Sequence, residues 1–219
     1  MKDKAVIFDM DGVIVYTLDH HYAAWKDLLA ERNINFSRNE FNNMIGQSSQ
    51  AFIQSLRLKG LKGGEKRLVE EKDKRYLQKF KEKAPPLVDG FLPILEDIKD
   101  IDLKTAIATS EPMEIMNATI IEYGLLNKFD EFVTSDDVKN LKPDPEIYSL
   151  TSQKLNVSPQ NCIVFEDSPS GVKSAKKAEM YCIALTTSYS KNELKKAGAD
   201  KIITNFTEIN LGDILDALN

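Results

Sequence analysis

Two carboxylates near the start of the chain, Asp9 and Asp11, have the spacing of residues that could do chemistry together. They follow residues 5–8 (AVIF), whose unbroken apolar character is typical of a strand buried on both faces of a parallel sheet. Charged side chains directly beyond such a strand lie at its exposed carboxyl end or are paired, and open α/β sheets bind their ligands at that edge. Gly12 completes a turn, and an Asp-Gly turn is also ordinary turn chemistry. The motif alone therefore leaves a catalytic and a purely structural interpretation open.

A second strand-like segment, residues 103–109 (LKTAIAT), also ends in hydroxyl side chains, Thr109 and Ser110. Pro112 follows within what is predicted to be the first turn of a helix. The pattern predicts Ser110 as the N-cap, with backbone N–H groups pointing outward, an arrangement suited to binding phosphate. A plain helix cap is the simpler interpretation of Ser110 considered by itself.

A third segment, residues 161–165 (NCIVF), leads into the adjacent carboxylates Glu166 and Asp167, which repel each other unless a cation is present. Mg²⁺, a hard cation that prefers oxygen ligands, would satisfy them together with Asp9 and Asp11. Lys142 precedes the rigid Pro143 and is interpreted either as a fixed cation or as a surface lysine. Because it follows a turn, it is not expected to be buried in the core.

Composition sets limits on function. The chain has 219 residues and a net charge of −5, which argues against general nucleic-acid binding but allows small phosphorylated substrates. The start, MKDKAVIF, is too short an apolar run for a signal peptide or a membrane span, so a cytoplasmic protein without a membrane partner is expected. Cys162 and Cys182 fall in apolar, strand-like runs and are predicted to be reduced core thiols rather than a disulfide or zinc ligands.

The pattern of elements changes along the chain. Four helices are predicted within residues 18–84, at 18–31, from Ser37, at 49–58 and at 65–83, the last with a solvated, charged face. Beyond Pro85 and Pro86, strands alternate with helices; the strands are expected at 103–109, 161–165, 181–185 and 201–203. This alternation predicts an α/β fold with a doubly wound parallel sheet. The strand at 4–8 belongs to that sheet, so residues 1–17 and 85–219 form the predicted core and residues 18–84 an inserted α-helical cap domain.

Four motifs occur in order along the chain: FDMDGVI, the ATS of residues 108–110, the lysine of KPDPEIY, and FEDSPSGV. With them the sequence resembles the haloacid dehalogenase-like superfamily, in its branch of phosphatases and phosphomutases with a helical cap, which includes β-phosphoglucomutase. The resemblance covers essentially the whole chain. It implies a Rossmann-like core carrying the chemistry.

The resemblance also implies roles for individual residues. Asp9 would be the nucleophile and Asp11 the general acid/base, while Ser110 and Lys142 would bind the transferring phosphoryl group. The implied magnesium ligands are Asp9, the backbone carbonyl of Asp11, Glu166 and Asp167. The implied substrate-binding residues are Thr17, His21, Thr109 and Gly46. For His21 a satisfied helix histidine stays equally open, and His20 has no counterpart in the family.

Three positions depart from the family pattern. Tyr16 stands where relatives usually have an acidic residue, so contacts at the hinge are expected to differ. The cap motif Gly-x-x-Arg, with which mutases hold the second phosphate, is present as residues 46–49 (GQSS), with Ser49 in place of the arginine. Glu179 stands where a glycine is common, which is interpreted as a structural difference.

The leading hypothesis is a Mg²⁺-dependent phosphatase that acts on a small phosphorylated metabolite, such as a sugar phosphate, through an aspartyl-phosphate. The first alternative is a mutase of the β-phosphoglucomutase type, in which a second sugar phosphate replaces water. The second alternative is a binding protein that keeps the fold without catalysis. A monomer is the default expectation for the oligomeric state.

Overall fold

The computed structural model describes residues 3–45 and 49–218, without the side chains of residues 49–51. The chain forms two compact units, Met1–Tyr16 with Pro86–Asn219, and Thr17–Pro85. Each junction lies one residue from the predicted one. Gly46, predicted to bind substrate, is outside the described residues, and the side chain of Ser49 is not described either.

The first unit is built on a parallel sheet of six strands in the order β3-β2-β1-β4-β5-β6. The strands are β1 (Ala5–Phe8), β2 (Lys104–Ala108), β3 (Glu131–Val133), β4 (Cys162–Glu166), β5 (Tyr181–Leu185) and β6 (Lys201–Ile203). All four residues of β1 are buried, as its unbroken apolar run predicts. The predicted α/β fold with a parallel sheet is confirmed.

Ten α-helices accompany the strands in the described residues. They are α1 (Leu18–Ala30), α2 (Arg38–Met44), α3 (Ser49–Arg57), α4 (Glu65–Glu82), α5 (Phe91–Asp100), α6 (Met113–Glu122), α7 (Glu146–Leu155), α8 (Pro169–Lys177), α9 (Lys191–Ala197) and α10 (Leu211–Ala217). The helix predicted from Ser37 begins there, where Ser37 forms a capping box with Glu40, and Ser168 caps α8 by accepting from the Gly171 N–H.

Both faces of the sheet are covered by apolar side chains. Ile7 shares one core cluster with Tyr148 of α7 and Val172 of α8. On the other face the ring of Phe8 lies 5.7 Å from that of Phe91 in α5 and 5.2 Å from that of Phe165. Because successive strand residues point to opposite faces, this double cover explains why β1 shows no polar alternation.

Among these strands and α-helices, three form where none was predicted: β3, α5 and α10. The strand β3 has three residues, too few to show a period, and α10 has only seven, including a glycine and two aspartates. In α5, Pro93 is the third residue and so lies in the first turn. The N–H groups of the first turn of a helix have no intrahelical partner. The proline therefore removes no hydrogen bond from α5.

The second unit contains α1 to α4 around its own apolar core, which includes Trp25, Leu28, Phe41, Phe52 and Leu68. The prediction of a solvated charged face on α4 is wrong at one position. Its buried residues recur every four positions, at Leu68, Lys72, Tyr76 and Phe80, so that Lys72 lies within the buried stripe. No helix in the described part of the chain is long and apolar enough to cross a membrane.

Glu179 has a left-handed backbone, with φ of +62°. This conformation is strained for residues with a Cβ and favours glycine, which accounts for the glycine common at this position in the family. The Glu179 carboxylate accepts a hydrogen bond of 2.7 Å from the side-chain amide of Gln160. The departure is structural, as the sequence predicts.

Candidate active site

The register of the sheet brings three polar strand ends to one edge. Phe8 of β1 is level with Ile107 of β2 and with Phe165 of β4. The next residue, Asp9, donates its backbone N–H to the Phe165 carbonyl at 2.9 Å, and the residue after Phe165 is Glu166. Parallel pairing alone therefore places Asp9 beside Glu166, 157 positions apart in the chain.

Lys142 joins these strand ends. Its Nζ donates to Asp9 Oδ1 at 2.7 Å, to Glu166 Oε1 at 2.8 Å and to the Ala108 carbonyl at 3.1 Å. The side chain is only 5 % exposed, so the expectation that Lys142 is not buried is wrong. The turn directs the ammonium inward, where two carboxylates offset its desolvation.

The loop that carries Lys142 is held by the first residue of α7. The carboxylate of Glu146 accepts hydrogen bonds from the backbone N–H groups of Lys139 and Asn140, each at 2.9 Å. These bonds tie the chain two residues before Lys142 to the helix four residues after it. The lysine is thus a fixed cation, one of the two interpretations left open by the sequence.

Glu166 is 1 % exposed, and both of its carboxylate oxygens are hydrogen-bonded. Oε1 accepts from Lys142 and from the hydroxyl of Tyr148 at 2.8 Å, and Oε2 accepts from the backbone N–H groups of Asp167 and Ser168 and the Ser168 hydroxyl. Burial alone would raise the pKa of Glu166, but the Lys142 ammonium and these donors lower it below its usual value. Glu166 is therefore held as an anion.

Tyr148 is a contributor that the sequence reasoning missed. It is fully buried, and its ring centroid lies 4.8 Å from Lys142 Nζ, close enough for a cation–π interaction. The available signal is its position in KPDPEIY, six residues after the lysine and on the first turn of α7. Tyr148 is neither charged nor a glycine, so its position in the sequence predicts only an apolar residue of a helix.

The carboxylate of Glu166 has room only because residue 171 is glycine. A Cβ on Gly171 would lie 1.6 Å from Glu166 Oε1 and 2.3 Å from Oε2. Alanine is favoured over glycine in a helix by about 1 kcal/mol, yet here the methyl group would displace a buried, hydrogen-bonded anion.

We therefore expect Gly171→Ala to destabilise the protein by about 1 to 3 kcal/mol and to reduce turnover, as overpacking does in a close-packed interior. Denaturant unfolding and phosphatase assays measure the two effects. Lys173→Ala, which introduces alanine at an exposed position of the same helix, is the control. A Gly171→Ala protein as stable and active as the control would contradict the steric argument.

Asp9 and Asp167 are buried carboxylates with raised pKa values. Burial, with smaller contributions from the Glu166 and Asp11 charges, raises the pKa of Asp9 to about 8 despite the opposing Lys142 ammonium. Burial, together with the charges of Glu166 and Asp9, raises the pKa of Asp167 well above its usual range. One lysine thus does not neutralise this group of carboxylates.

The donor set fits a hard divalent cation. Asp9, Glu166 and Asp167 each offer a carboxylate oxygen, and these three oxygens lie within 4.8 Å of one another. All three residues are buried, and Mg²⁺ prefers oxygen ligands of this kind. Asp11, two residues after Asp9 in the same turn, is half-buried. The predicted ligand role of its backbone carbonyl stays a prediction.

The end of β2 differs from the prediction. Helix α6 begins at Met113 with Pro112 as its N-cap residue, so the prediction that Ser110 caps this helix is wrong. Pro112 has an extended backbone, with φ of −71° and ψ of 159°, and the helix begins two residues later than a Ser110 cap would give. Thr109 is buried and its Oγ1 accepts from the Glu111 N–H at 3.1 Å, whereas Ser110 is exposed. Binding of a phosphoryl group by Thr109 and Ser110 stays a prediction.

Two predicted substrate-binding residues lie in the second unit. Thr17 is buried at the N-terminus of α1. The ring of His21 stacks on that of Tyr76 with centroids 4.5 Å apart, and its Nδ1 lies 3.5 Å from the Nζ of Lys72. Lys72 is also paired with Asp73 at 2.5 Å. The second unit therefore contains a buried lysine, Lys72, close to the His21 ring. Substrate binding by Thr17 and His21 stays a prediction.

Comparison with known proteins identifies relatives of the whole chain. A model of the family described as haloacid dehalogenase-like hydrolase matches residues 6–185. A phosphorylated carbohydrates phosphatase from Thermotoga maritima is 35% identical over 180 residues, 80% of this chain and 81% of that protein. A β-phosphoglucomutase from Bacillus subtilis is 27% identical over 217 residues, 95% of this chain and 92% of that protein.

A solved structure matches the fold as well. The crystal structure of a HAD hydrolase of family IA, variant 3, from Entamoeba histolytica superposes with a TM-score of 0.89 and 30% sequence identity. The match covers 98% of this chain and 99% of the other. Fold and sequence therefore agree on one family.

Proposed function

Because the chain belongs to the haloacid dehalogenase-like hydrolase family and is an enzyme of its phosphatase or phosphomutase kind, we propose that it hydrolyses a small phosphorylated metabolite with Mg²⁺. The observation that carries the proposal is the contact of buried Lys142 with both Asp9 and Glu166, beside Asp167. A non-catalytic binding protein would not need a buried lysine among carboxylates, because such a group contributes little to net stability.

In the proposed reaction Asp9 attacks the phosphorus atom, the ester P–O bond breaks, and an aspartyl-phosphate forms on Asp9. Asp11 gives its proton to the leaving alkoxide and then removes a proton from the water that attacks the aspartyl-phosphate. The P–O bond to Asp9 breaks, inorganic phosphate leaves, and both carboxylates return to their starting state. A bound Mg²⁺ supplies positive charge that lets the anionic nucleophile approach an anionic phosphate.

Lys142 has two roles in this proposal. It bonds one oxygen of Asp9, Oδ1, and so limits rotation of the nucleophilic carboxylate. Its charge also opposes the negative charge that develops on the transferring phosphoryl oxygens. Glu166 accepts a hydrogen bond from Lys142 and is itself held by the Tyr148 hydroxyl, so the position of this charge is fixed before substrate arrives.

The proposed substrate class is a sugar phosphate. It is supported by the relative named as a phosphatase of phosphorylated carbohydrates and by the relative named β-phosphoglucomutase. The site chemistry recognises the phosphoryl group, and the rest of the substrate would be selected by other residues.

The dependence on a cation tests the proposal first. We expect a phosphatase screen over phosphorylated metabolites to give activity that EDTA abolishes and that added Mg²⁺ restores, since Lys142 pairs with Asp9 and Glu166 but not with the neighbouring buried Asp167. EDTA saturated with Mg²⁺ beforehand is the control for effects of the chelator itself. Full activity in EDTA would contradict the proposed mechanism.

A mutase of the β-phosphoglucomutase type is the second candidate, because it would use the same Asp9 chemistry. Ser49 stands where mutases have the arginine that holds a second phosphate, and a neutral hydroxyl cannot replace a bidentate cation. We therefore favour water as the phosphoryl acceptor. With β-glucose 1-phosphate and a bisphosphate primer, release of inorganic phosphate is expected, whereas efficient conversion to glucose 6-phosphate would establish the mutase.

A further inference from the structure

We propose that Ser188, in the loop after β5, is a positioning residue that orients the Asp167 carboxylate for a divalent cation. The proposal rests on the proposed function, in which Asp167 is a ligand of Mg²⁺. Ser188 lies outside the four sequence motifs that mark the family resemblance. In the structure its Oγ donates a hydrogen bond to Asp167 Oδ2.

The pair formed by Ser188 and Asp167 packs directly on the turn that carries Asp9 and Asp11. A Cβ on Gly12 would lie 1.9 Å from Asp167 Oδ2 and 2.9 Å from Ser188 Oγ. Gly12 also has φ of +71°, a backbone conformation that favours glycine. The absence of a side chain at Gly12 thus allows the hydrogen bond to sit against the backbone of the nucleophile turn.

The loop that carries Ser188 is anchored on both sides. The N–H of Thr186 donates to the Ile203 carbonyl of β6 at 3.0 Å, and the Thr187 hydroxyl donates to the Gly12 carbonyl at 2.6 Å. Two residues after Ser188, Ser190 caps α9 in a capping box with Glu193. Ser188 is therefore held in place before any cation binds, which is what a positioning residue requires.

A hydroxyl suits this position better than a cationic side chain would. A donor on Oδ2 restricts rotation of the Asp167 carboxylate and leaves Oδ1 to bind a cation. Because the hydroxyl is neutral, it leaves Asp167 with the negative charge that attracts the ion. Asp9 and Glu166, in contrast, are already bonded to the cationic Lys142. Outer groups that orient metal ligands in this way typically change metal affinity by about 10- to 100-fold when they are removed.

The experiment is a calorimetric titration of the metal-free protein with Mg²⁺ alone, without substrate. We expect Ser188→Ala to weaken Mg²⁺ binding by about tenfold or more, and Ser188→Thr, which keeps the hydroxyl, to restore most of the affinity. The matched control is Ser190→Ala, which removes a hydroxyl from the same loop but none from Asp167. Thermal unfolding in EDTA checks that each variant is folded, and the control is expected to lose stability without losing affinity.

A second comparison keeps the test decisive if the alanine variant does not fold. Threonine and valine at position 188 have the same shape and differ only in the hydroxyl, so weaker Mg²⁺ binding by Ser188→Val than by Ser188→Thr supports the proposal. Equal affinity in wild type and the variants that lack the hydroxyl would overturn it while leaving the proposed function intact. A wild-type protein that binds no Mg²⁺ would overturn both.

Discussion

Asp9→Asn is expected to lower turnover by at least about 10³-fold, because an amide cannot form the aspartyl-phosphate that the proposed reaction requires. Asparagine has the shape of aspartate, and its side-chain oxygen can still accept from Lys142, so the variant is expected to fold. Steady-state hydrolysis of the best substrate in the metabolite screen measures the loss. Mass spectrometry of acid-quenched protein should detect a phosphorylated Asp9 in wild type and none in the variant.

The matched control is Asp97→Asn, which makes the same chemical change at an exposed position on α5. It should leave turnover unchanged. If Asp9→Asn keeps a turnover within about tenfold of wild type, Asp9 is not the nucleophile. A phosphorylated residue other than Asp9 in wild-type protein would lead to the same conclusion.

The chemistry of the strand ends is readable from the sequence because it depends on local patterns. The residues 5–8 place Asp9 at the end of a buried strand, and the run NCIVF does the same for Glu166 and Asp167. Parallel strands then require that these ends share one edge of the sheet. The strand ends share this edge whatever the order of the strands, so their proximity can be predicted from the sequence alone.

The parts that the sequence did not reveal depend on contacts between distant segments. Ser188 lies 21 residues after Asp167, and only the pairing of β4 with β5 brings the two together. Tyr148 reads as an apolar helix residue, since nothing in its neighbourhood shows that its hydroxyl meets Glu166. The sequence does not distinguish Lys72 from the charged residues around it on α4, so its burial could not be predicted.

The prediction for Lys142 changes once its surroundings are known. The sequence treats it as a lysine after a turn, whose removal would reduce turnover far more than stability. In the structure it bonds Asp9 and Glu166 inside the protein, so its removal leaves two buried carboxylates without their cation. Loss of one partner from a buried ion pair typically costs about 3 to 5 kcal/mol.

We therefore expect Lys142→Ala to reduce turnover by about 10²- to 10³-fold. We also expect it to lower the free energy of unfolding by about 3 to 5 kcal/mol. The stability loss should depend on pH in a defined direction. Without the lysine the pKa of Asp9, about 8 in the presence of Lys142, rises further, and the pKa of Glu166 loses the interaction that lowers it most. The folded state then binds more protons relative to the unfolded chain, so the variant becomes less stable relative to wild type as pH rises. The deficit relative to wild type should thus be smaller at about pH 5 than at about pH 8.

A double variant separates the two effects of Lys142. In Lys142→Met with Glu166→Gln, one buried carboxylate is neutral and the stem of the lysine is replaced by an apolar chain of similar length, so part of the lost stability should return. Turnover should not return, because no cation then contacts Asp9 or the phosphoryl group. Denaturant unfolding and turnover assays on the same samples test this. Recovery of turnover along with stability would show that Lys142 acts only through the fold, and would remove it from the proposed mechanism.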